Sequence, residues 1–220
     1  LVDTAREIRY HNGRAFLSTS RALADDSLRL GRVYVRYTQG LGVWVNYNAE
    51  RPWRIRKGGR VYELPPYGWL IEKPGSILAY SARREGARVD FVRCPEYSYL
   101  NTGGVRAAEG PLEVEGAAWL KREGEAWRLI PCGDLGTWER FPPPGLPANF
   151  QDFRLAGVPA DRGCRHLVLD TQALLGKPAA QLRVVGRTES GAARPIRTRL
   201  LDDGRLQIIP GEDVVDYLIR

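Results

Sequence analysis

Short apolar runs alternate with polar positions along most of the chain, and turn-forming residues separate one run from the next. Helical periodicity is scarce. Successive side chains of a strand point to opposite faces, so alternation over four to eight residues, bounded by Gly, Pro, Asn or Asp, indicates antiparallel strands. The sequence therefore predicts an all-β protein built from two tandem antiparallel β-sandwich domains.

Three hairpins are predicted in the first half of the chain. Their strands are residues 32–37 with 41–48, 53–55 with 60–64, and 77–83 with 87–93. Each pair flanks a short segment containing Gly, which readily adopts the positive φ that tight hairpin turns require. A further strand is expected at 67–72, after Pro65-Pro66 ends the preceding ladder.

The strand at 41–48 has two faces that differ in composition. Leu41, Val43, Val45 and Tyr47 share one face, and Trp44, Asn46 and Asn48 share the other. The first face is the more uniformly apolar one. We therefore expect it to form the core.

The first thirty residues carry a weaker pattern. Residues 7–10 and 15–18 predict a hairpin over Asn12-Gly13, and residues 20–30 predict either a short helix or an irregular arm.

A domain boundary is expected near residue 105, where the composition turns to Gly, Ala and Thr. Residues 1–104 would form a basic, aromatic-rich β-domain. Residues 105–220 contain about seven apolar runs and would form an immunoglobulin-like or similar β-sandwich. Within it, four prolines in 141–149 predict a rigid loop, and Asp170 is a candidate cap for a helical turn at 171–175.

Charge separates the two halves. Residues 1–104 carry 17 basic and 10 acidic side chains, a net charge of +7, whereas residues 105–220 carry 16 of each. The densest basic stretch, Arg51 to Tyr62, interleaves Arg with Trp53 and Tyr62, a pattern that also occurs in surfaces that bind nucleic acid or other polyanions. The alternative is a solvated hairpin face. Nucleic acid is accordingly kept as an alternative partner and is not the expected one.

Metal and cofactor sites are not predicted. Cys132, Cys164 and His166 could supply three ligands, but no fourth ligand stands at metal-binding spacing, and the three cysteines form no C-x-x-C. Phosphate-binding and dinucleotide-binding glycine motifs are absent from the sequence. No stretch of about 18 apolar residues occurs, so no membrane partner is expected.

Catalytic motifs are equally scarce. The chain has two histidines, His11 and His166, and neither accompanies a recognisable nucleophile motif. Adjacent carboxylates occur at Asp25-Asp26, Asp202-Asp203 and Glu212-Asp213. A small enzyme that uses His166, Cys164 or one of these pairs at a domain interface remains an alternative hypothesis.

Aromatic residues are concentrated in the first domain. Aromatic faces on a β surface stack on the C–H groups of sugar rings. The candidate carbohydrate-binding residues are Trp44, Trp53, Tyr67 and Trp69, with Trp53 and Trp69 as the expected exposed pair. The alternative is that these rings pack in the core.

A family resemblance rests on the order of segments between residues 37 and 104: YTQGLGVWVNYN, PWRI, YELPPYGWL, ILAYSA, GARVDFV and CPEYSYL. This order resembles the C-terminal β-domains of large bacterial glycoside-hydrolase-like proteins, over about a third of the chain. The resemblance implies a non-catalytic accessory role, either packing against an upstream catalytic domain or holding an oligosaccharide or polysaccharide. The chain lacks Met and begins at Leu1, so we expect it to be a mature product or part of a longer protein.

Overall fold

The computed structural model of the protein describes residues 3–132, 164–211 and 213–220. Strands predominate in these residues, and the strand pairs within each part of the chain are antiparallel. The predicted all-β class is therefore confirmed. The chain divides into two compact units, Leu1–Pro95 and Glu96–Arg220. The boundary expected near residue 105 lies inside a strand of the second unit, Tyr97–Glu109.

The first unit has nine strands among its described residues, and helical turns follow the second. The strands are β1 (Ala5–His11), β2 (Phe16–Leu17), β3 (Arg32–Tyr37), β4 (Gly42–Asn46), β5 (Trp53–Lys57), β6 (Arg60–Leu64), β7 (Trp69–Lys73), β8 (Ile77–Arg84) and β9 (Ala87–Arg93); the helices are α1 (Thr19–Ala24) and a 3₁₀ turn (Ser27–Leu30).

Strand pairing in this unit follows the order β2-β1-β3-β4-β7-β8-β9, and the β5–β6 hairpin joins β8 through the pair Glu63 and Arg83. All three predicted hairpins are confirmed, as is the one over Asn12-Gly13. The segment 20–30 is a short helix followed by a 3₁₀ turn. The Ser18 side chain accepts a hydrogen bond from the Arg21 N–H, which satisfies one donor of the first helical turn.

The core of the first unit lies between one sheet face and the β5–β6 hairpin. Residues directly opposite one another in antiparallel strands share a face, and the register places five large side chains in one row. They are Tyr34, Trp44, Leu70, Tyr80 and Phe91. The hairpin covers this row with four further buried side chains, Trp53, Ile55, Tyr62 and Leu64.

The expected inward face of β4 is wrong. Gly42, Trp44 and Asn46 are the buried residues of this strand, Val43 and Val45 are only partly buried, and Tyr47, which follows the strand, is exposed. Alternation places residues on two faces but does not say which face another element covers. Here the β5–β6 hairpin covers the face that carries the largest ring of the strand, and burying that ring removes more apolar surface from water than burying a valine.

The second unit also has nine strands among its described residues. They are β10 (Tyr97–Glu109), β11 (Leu112–Glu123), β12 (Ala126–Cys132), β13 (His166–Leu169), β14 (Val184–Arg187), β15 (Ala193–Arg194), β16 (Arg197–Leu200), β17 (Leu206–Ile209) and β18 (Asp216–Ile219); the helices are α2 (Thr171–Leu175) and a 3₁₀ turn (Ala179–Gln181).

Strand β11 belongs to two sets of paired strands. Its first half pairs with β13, which leads to β17 and β16, and its second half pairs with β12, which leads to β18, β14 and β15. The change occurs at Gly116, whose φ is +117° and whose added Cβ would lie 3.2 Å from the Cα of Cys164. The Thr102 hydroxyl donates to the Gly116 carbonyl and accepts from its N–H. A glycine is therefore required at this bend. A sandwich arrangement of these strands stays a prediction.

Local predictions in the second unit are confirmed where the structure describes them. Asp170 caps α2, because its carboxylate accepts from the Ala173 N–H at 2.9 Å. The proline-rich stretch 141–149 lies outside the described residues. Neither α1 nor α2, nor any other described helix, is long and apolar enough to cross a membrane.

Candidate functional site

Two of the four predicted carbohydrate-binding residues are core residues. Trp53 is 3% exposed and its ring contacts His11 and Phe16, at centroid distances of 5.5 and 6.1 Å. Trp44 is 8% exposed and stacks on Tyr34 at 4.7 Å. The ring faces of both tryptophans are covered, so the expected exposed pair of Trp53 and Trp69 does not form.

The other two candidates lie at the opposite face of the sheet, at the start of β7. Trp69 is partly buried, and Tyr67, two residues earlier, is 55% exposed. Beside Tyr67 stands Tyr47, which is 71% exposed; the two rings meet edge to face with centroids 5.9 Å apart. We call Tyr47, Tyr67 and Trp69 the aromatic surface. Sequence reasoning missed Tyr47 because it placed this residue on the core face of β4.

The turn before β7 holds Tyr67 in an outward position. The Gly68 N–H donates to the Pro65 carbonyl at 2.8 Å, and Tyr67 adopts a φ of +59° within this turn. A Cβ at position 68 would come within 2.6 Å of Pro65 Cδ and 2.7 Å of the Ser81 carbonyl oxygen. The chain must therefore pass through a glycine here, and the left-handed backbone at Tyr67 is fixed by the surrounding packing.

A buried amide joins this turn to the strand that carries Tyr47. Asn46 Nδ2 donates to the Leu64, Pro65 and Arg51 carbonyls at 3.1, 2.9 and 2.9 Å. The Asn46 N–H also donates to the Gly68 carbonyl at 2.9 Å. These bonds tie both sides of the aromatic surface together, so the two tyrosines are held by rigid backbone and not by long loops.

Polar groups continue the same face across the sheet. Cα register runs from Val45 to Trp69, then to Ser81 and Asp90, and directly opposed residues share a face. The Ser81 hydroxyl donates to Asp90 Oδ1 at 2.5 Å and accepts from Arg88 Nε at 2.8 Å. The carboxylate and the guanidinium are partly open to solvent, so hydrogen-bonding groups lie two strands, about 10 Å, from the Trp69 backbone.

The basic ribbon between Arg51 and Tyr62 is the β5–β6 hairpin. Its two rings, Trp53 and Tyr62, are buried and cannot stack on bases. Arg54 forms an ion pair with Glu63 at 2.8 Å on the exposed side of the hairpin. The stacking arrangement that the spacing suggested for nucleic acid is therefore not present in the ribbon.

Cys164 and His166 are engaged in structural contacts. The Cys164 thiol donates to the His166 carbonyl at 3.1 Å, and burial raises the pKa of this thiol to about 11. His166 Nε2 lies 3.0 Å from Glu113 Oε1, and Arg106 and Arg205 bind the same carboxylate. Burial alone would raise the pKa of Glu113, but the two arginines hold it below its ordinary value. A thiol that keeps its proton is a poor nucleophile, and a carboxylate held in its ionised form by two arginines is a poor base.

Three of the adjacent carboxylates are used in turns and ion pairs. Asp25 accepts hydrogen bonds from the Ser27 N–H and hydroxyl, Asp26 pairs with Arg29, and Asp203 binds Arg205. Glu212 lies outside the described residues. No group of three or more His, Cys, Asp or Glu side chains in the described part of the chain is placed to hold a metal ion.

Comparison with protein-family models, with curated proteins and with solved structures gave no match to this chain.

Proposed function

We propose that this chain is a non-catalytic accessory part of a carbohydrate-active protein and contacts a glycan through the aromatic surface, Tyr47, Tyr67 and Trp69. The single observation that carries the proposal is the pair of tyrosine rings, 71% and 55% exposed, held edge to face by a turn with buried hydrogen bonds. Large apolar rings are seldom left this open to water, and a fixed exposed cluster is typical of a binding surface.

The chemistry of the surface suits a sugar. The C–H groups on the apolar side of a pyranose complement the electron-rich face of an aromatic ring, and tyrosine loses little side-chain entropy on binding because few of its bonds rotate. Asp90 and Arg88 offer an acceptor and donors on the same face for the equatorial hydroxyls. A ligand that contacts both ends of this face would span two strands, about 10 Å, from Trp69 to Asp90.

A non-catalytic role is supported by the state of the reactive side chains. Cys164 is buried and holds its proton, and the ionised Glu113 carboxylate near His166 is paired with two arginines. The resemblance of residues 37–104 to domains appended to glycoside-hydrolase-like proteins leads us to propose that a catalytic domain precedes this segment in the parent protein.

A glycan array tests the proposal. The wild-type chain should bind a defined set of neutral glycans, and Tyr47→Ala and Tyr67→Ala should each weaken binding by about tenfold, since the loss of one stacked ring costs roughly 1–1.5 kcal/mol. Tyr97→Ala is the matched control, because Tyr97 is 36% exposed in the second unit and also meets another ring, Trp119, edge to face at 6.4 Å. Absence of glycan binding, or equal losses in all three variants, would refute the proposal.

A further inference from the structure

A concave basic site lies at the far end of β7 from the aromatic surface. A cavity of about 540 Å³, open to solvent on one side, is bordered by the β5–β6 turn, the turn between β7 and β8, and the end of β9. Trp69 and Lys73, the first and last residues of β7, are about 13 Å apart at the rise of a strand. The cavity is therefore separate from the aromatic surface.

The lining of the cavity is strongly positive. It contains four basic side chains and one acidic one, a net charge of +3; they are Lys57, Arg60, Lys73, Arg93 and Glu72. Glu72 forms an ion pair with Lys57, in which Lys57 Nζ lies 3.3 Å from Glu72 Oε2. Within the described ranges Lys73 and Arg93 have no carboxylate within 4 Å, although Lys73 is near enough to Asp3 to help lower the pKa of that carboxyl. Like charges that converge on a concavity repel one another, so this arrangement gains free energy when an anion enters.

Aromatic rings hold two of the cations in place. The Arg60 guanidinium lies over the rings of Tyr62 and Tyr80, at 5.4 and 5.6 Å from their centroids. Lys57 Nζ lies 5.6 Å from the centroid of Trp44. All three rings are buried core residues, so these charges sit above a rigid floor and lose little entropy on binding.

The turns around the cavity leave its mouth open. Gly58, Gly59 and Gly75 all have positive φ values, and a Cβ at any of them would meet nothing within 4 Å. These glycines allow tight turns without adding side chains to the rim. A ligand can therefore approach the lysines and arginines from solvent.

We propose that this cavity binds the oxyanion groups of an acidic oligosaccharide, either sulfate esters or uronate carboxylates. The volume falls in the range of small-ligand sites and matches one or two sugar rings. A nucleic acid is disfavoured because Tyr62, the aromatic residue of the lining, has its ring buried and one face taken by Arg60, so no ring is open for base stacking. The inference rests on the proposed function only in taking the anion to be carried by a sugar.

Calorimetric titration tests the site with four probes: a heparin tetrasaccharide, a trigalacturonate, a neutral cellotetraose and a four-nucleotide oligothymidylate. We expect binding of at least one acidic sugar that weakens as salt rises, whereas any heat from the neutral one should not depend on salt or on the residues of the cavity. The double variant Lys73→Gln/Arg93→Gln should lose at least about tenfold in affinity for the acidic sugar, since hydrogen bonds to charged groups are the stronger ones.

The matched control is Arg14→Gln/Arg56→Gln. It removes the same charge from exposed residues of the first unit that do not line the cavity. Equal losses in the two double variants would reduce the effect to net charge and overturn the proposal. Tighter binding of the oligothymidylate, lost in the cavity variant, would overturn it in favour of nucleic acid, and absence of binding by both acidic sugars would overturn it outright.

The same titrations separate this inference from the proposed function. Tyr47→Ala should leave acidic-sugar binding at the cavity unchanged while it weakens glycan binding on the array. If the tyrosine variants have no effect but the cavity variant does, the aromatic surface is refuted and the cavity stands. If the tyrosine variants weaken glycan binding but the cavity variant has no effect on acidic-sugar binding, the cavity proposal is refuted and the aromatic surface stands.

Discussion

The buried amide of Asn46 should contribute more to stability than any other single polar side chain of the first unit. Its two amide hydrogens serve three carbonyl acceptors, and the bonds to Leu64 and Pro65 are fully buried. Asn46→Ala removes the donor, so the Leu64 carbonyl loses this bond in a dry environment, whereas the Pro65 carbonyl keeps the Gly68 N–H as a partner. A buried group that loses its partner costs about 1–3 kcal/mol, so we expect a loss of about 2 kcal/mol in the free energy of unfolding.

Urea unfolding followed by circular dichroism measures this loss. With a slope near 2 kcal/mol per molar urea, a loss of about 2 kcal/mol lowers the midpoint by about 1 M. Asn101→Ala is the control. The Asn101 side chain also bonds to the backbone, but as the acceptor of an exposed hydrogen bond from the Gly103 N–H, and the loss of this bond should cost about 1 kcal/mol or less. Asn46→Asp should be at least as harmful as Asn46→Ala at neutral pH, because a carboxylate would face carbonyl oxygens.

A loss below about 1 kcal/mol for Asn46→Ala, equal to that of the control, would refute this reasoning. It would show that water replaces the amide at Leu64 and Pro65, and that the turn before β7 is held by other contacts. The same variant should weaken glycan binding, since the amide fixes the turn that carries Tyr67.

Two further predictions concern the second unit. Burial opposes ionisation of Asp216, yet hydrogen bonds from Arg187 and Arg128 hold its pKa below the ordinary 3.8. Because the pKa is lower in the folded state, the ionised carboxylate stabilises the fold at pH values above the unfolded pKa, and this stability is lost as pH falls through the folded pKa. The destabilisation by Asp216→Asn, measured by thermal unfolding, should therefore be largest near pH 7 and shrink steadily below pH 4, and a pH-independent difference would contradict this prediction. Burial raises the pKa of the Cys164 and Cys132 thiols, so both should react slowly with iodoacetamide at pH 8. Mass spectrometry should show that the partly exposed Cys94 is labelled first and that Cys164 is labelled only after unfolding. Equal labelling rates for the three cysteines in the native protein would contradict this prediction.

Hairpins were predictable from sequence because their signals are local. The glycine turns at residues 40, 58–59 and 86 specify where a strand reverses, and alternation of polar and apolar residues on either side specifies the strands. The inward face of β4 was not predictable in the same way. Both faces of that strand carry large side chains, and the outcome depends on the β5–β6 hairpin, which comes later in the chain.

Functional surfaces show the same division between local and non-local information. Tyr67 and Trp69 stand out beside the Pro-Pro-Tyr-Gly turn, and the structure places both on the outer face. Tyr47 becomes visible as a candidate only when the exposed side of β4 is known. The basic cavity is only partly visible in the sequence: Lys57 and Arg60 belong to the basic stretch from Arg51 to Tyr62, but Lys73 and Arg93 come from the ends of two other strands.

The burial of Asn46 has a physical reason in the prolines that follow β6. Neither Pro65 nor Pro66 has an N–H to donate, so the ladder ends there, and the carbonyls at the end of β6 need donors from outside the ladder. The Asn46 side chain, at the end of β4, donates to both the Leu64 and the Pro65 carbonyls. An asparagine at the end of an apolar strand and a Pro-Pro turn that begins nineteen residues later are thus one structural device. This device fixes the backbone at positions 47 and 67 and leaves both side chains free to face solvent, so what the surface binds is decided by the residues at those two positions and not by the frame beneath them.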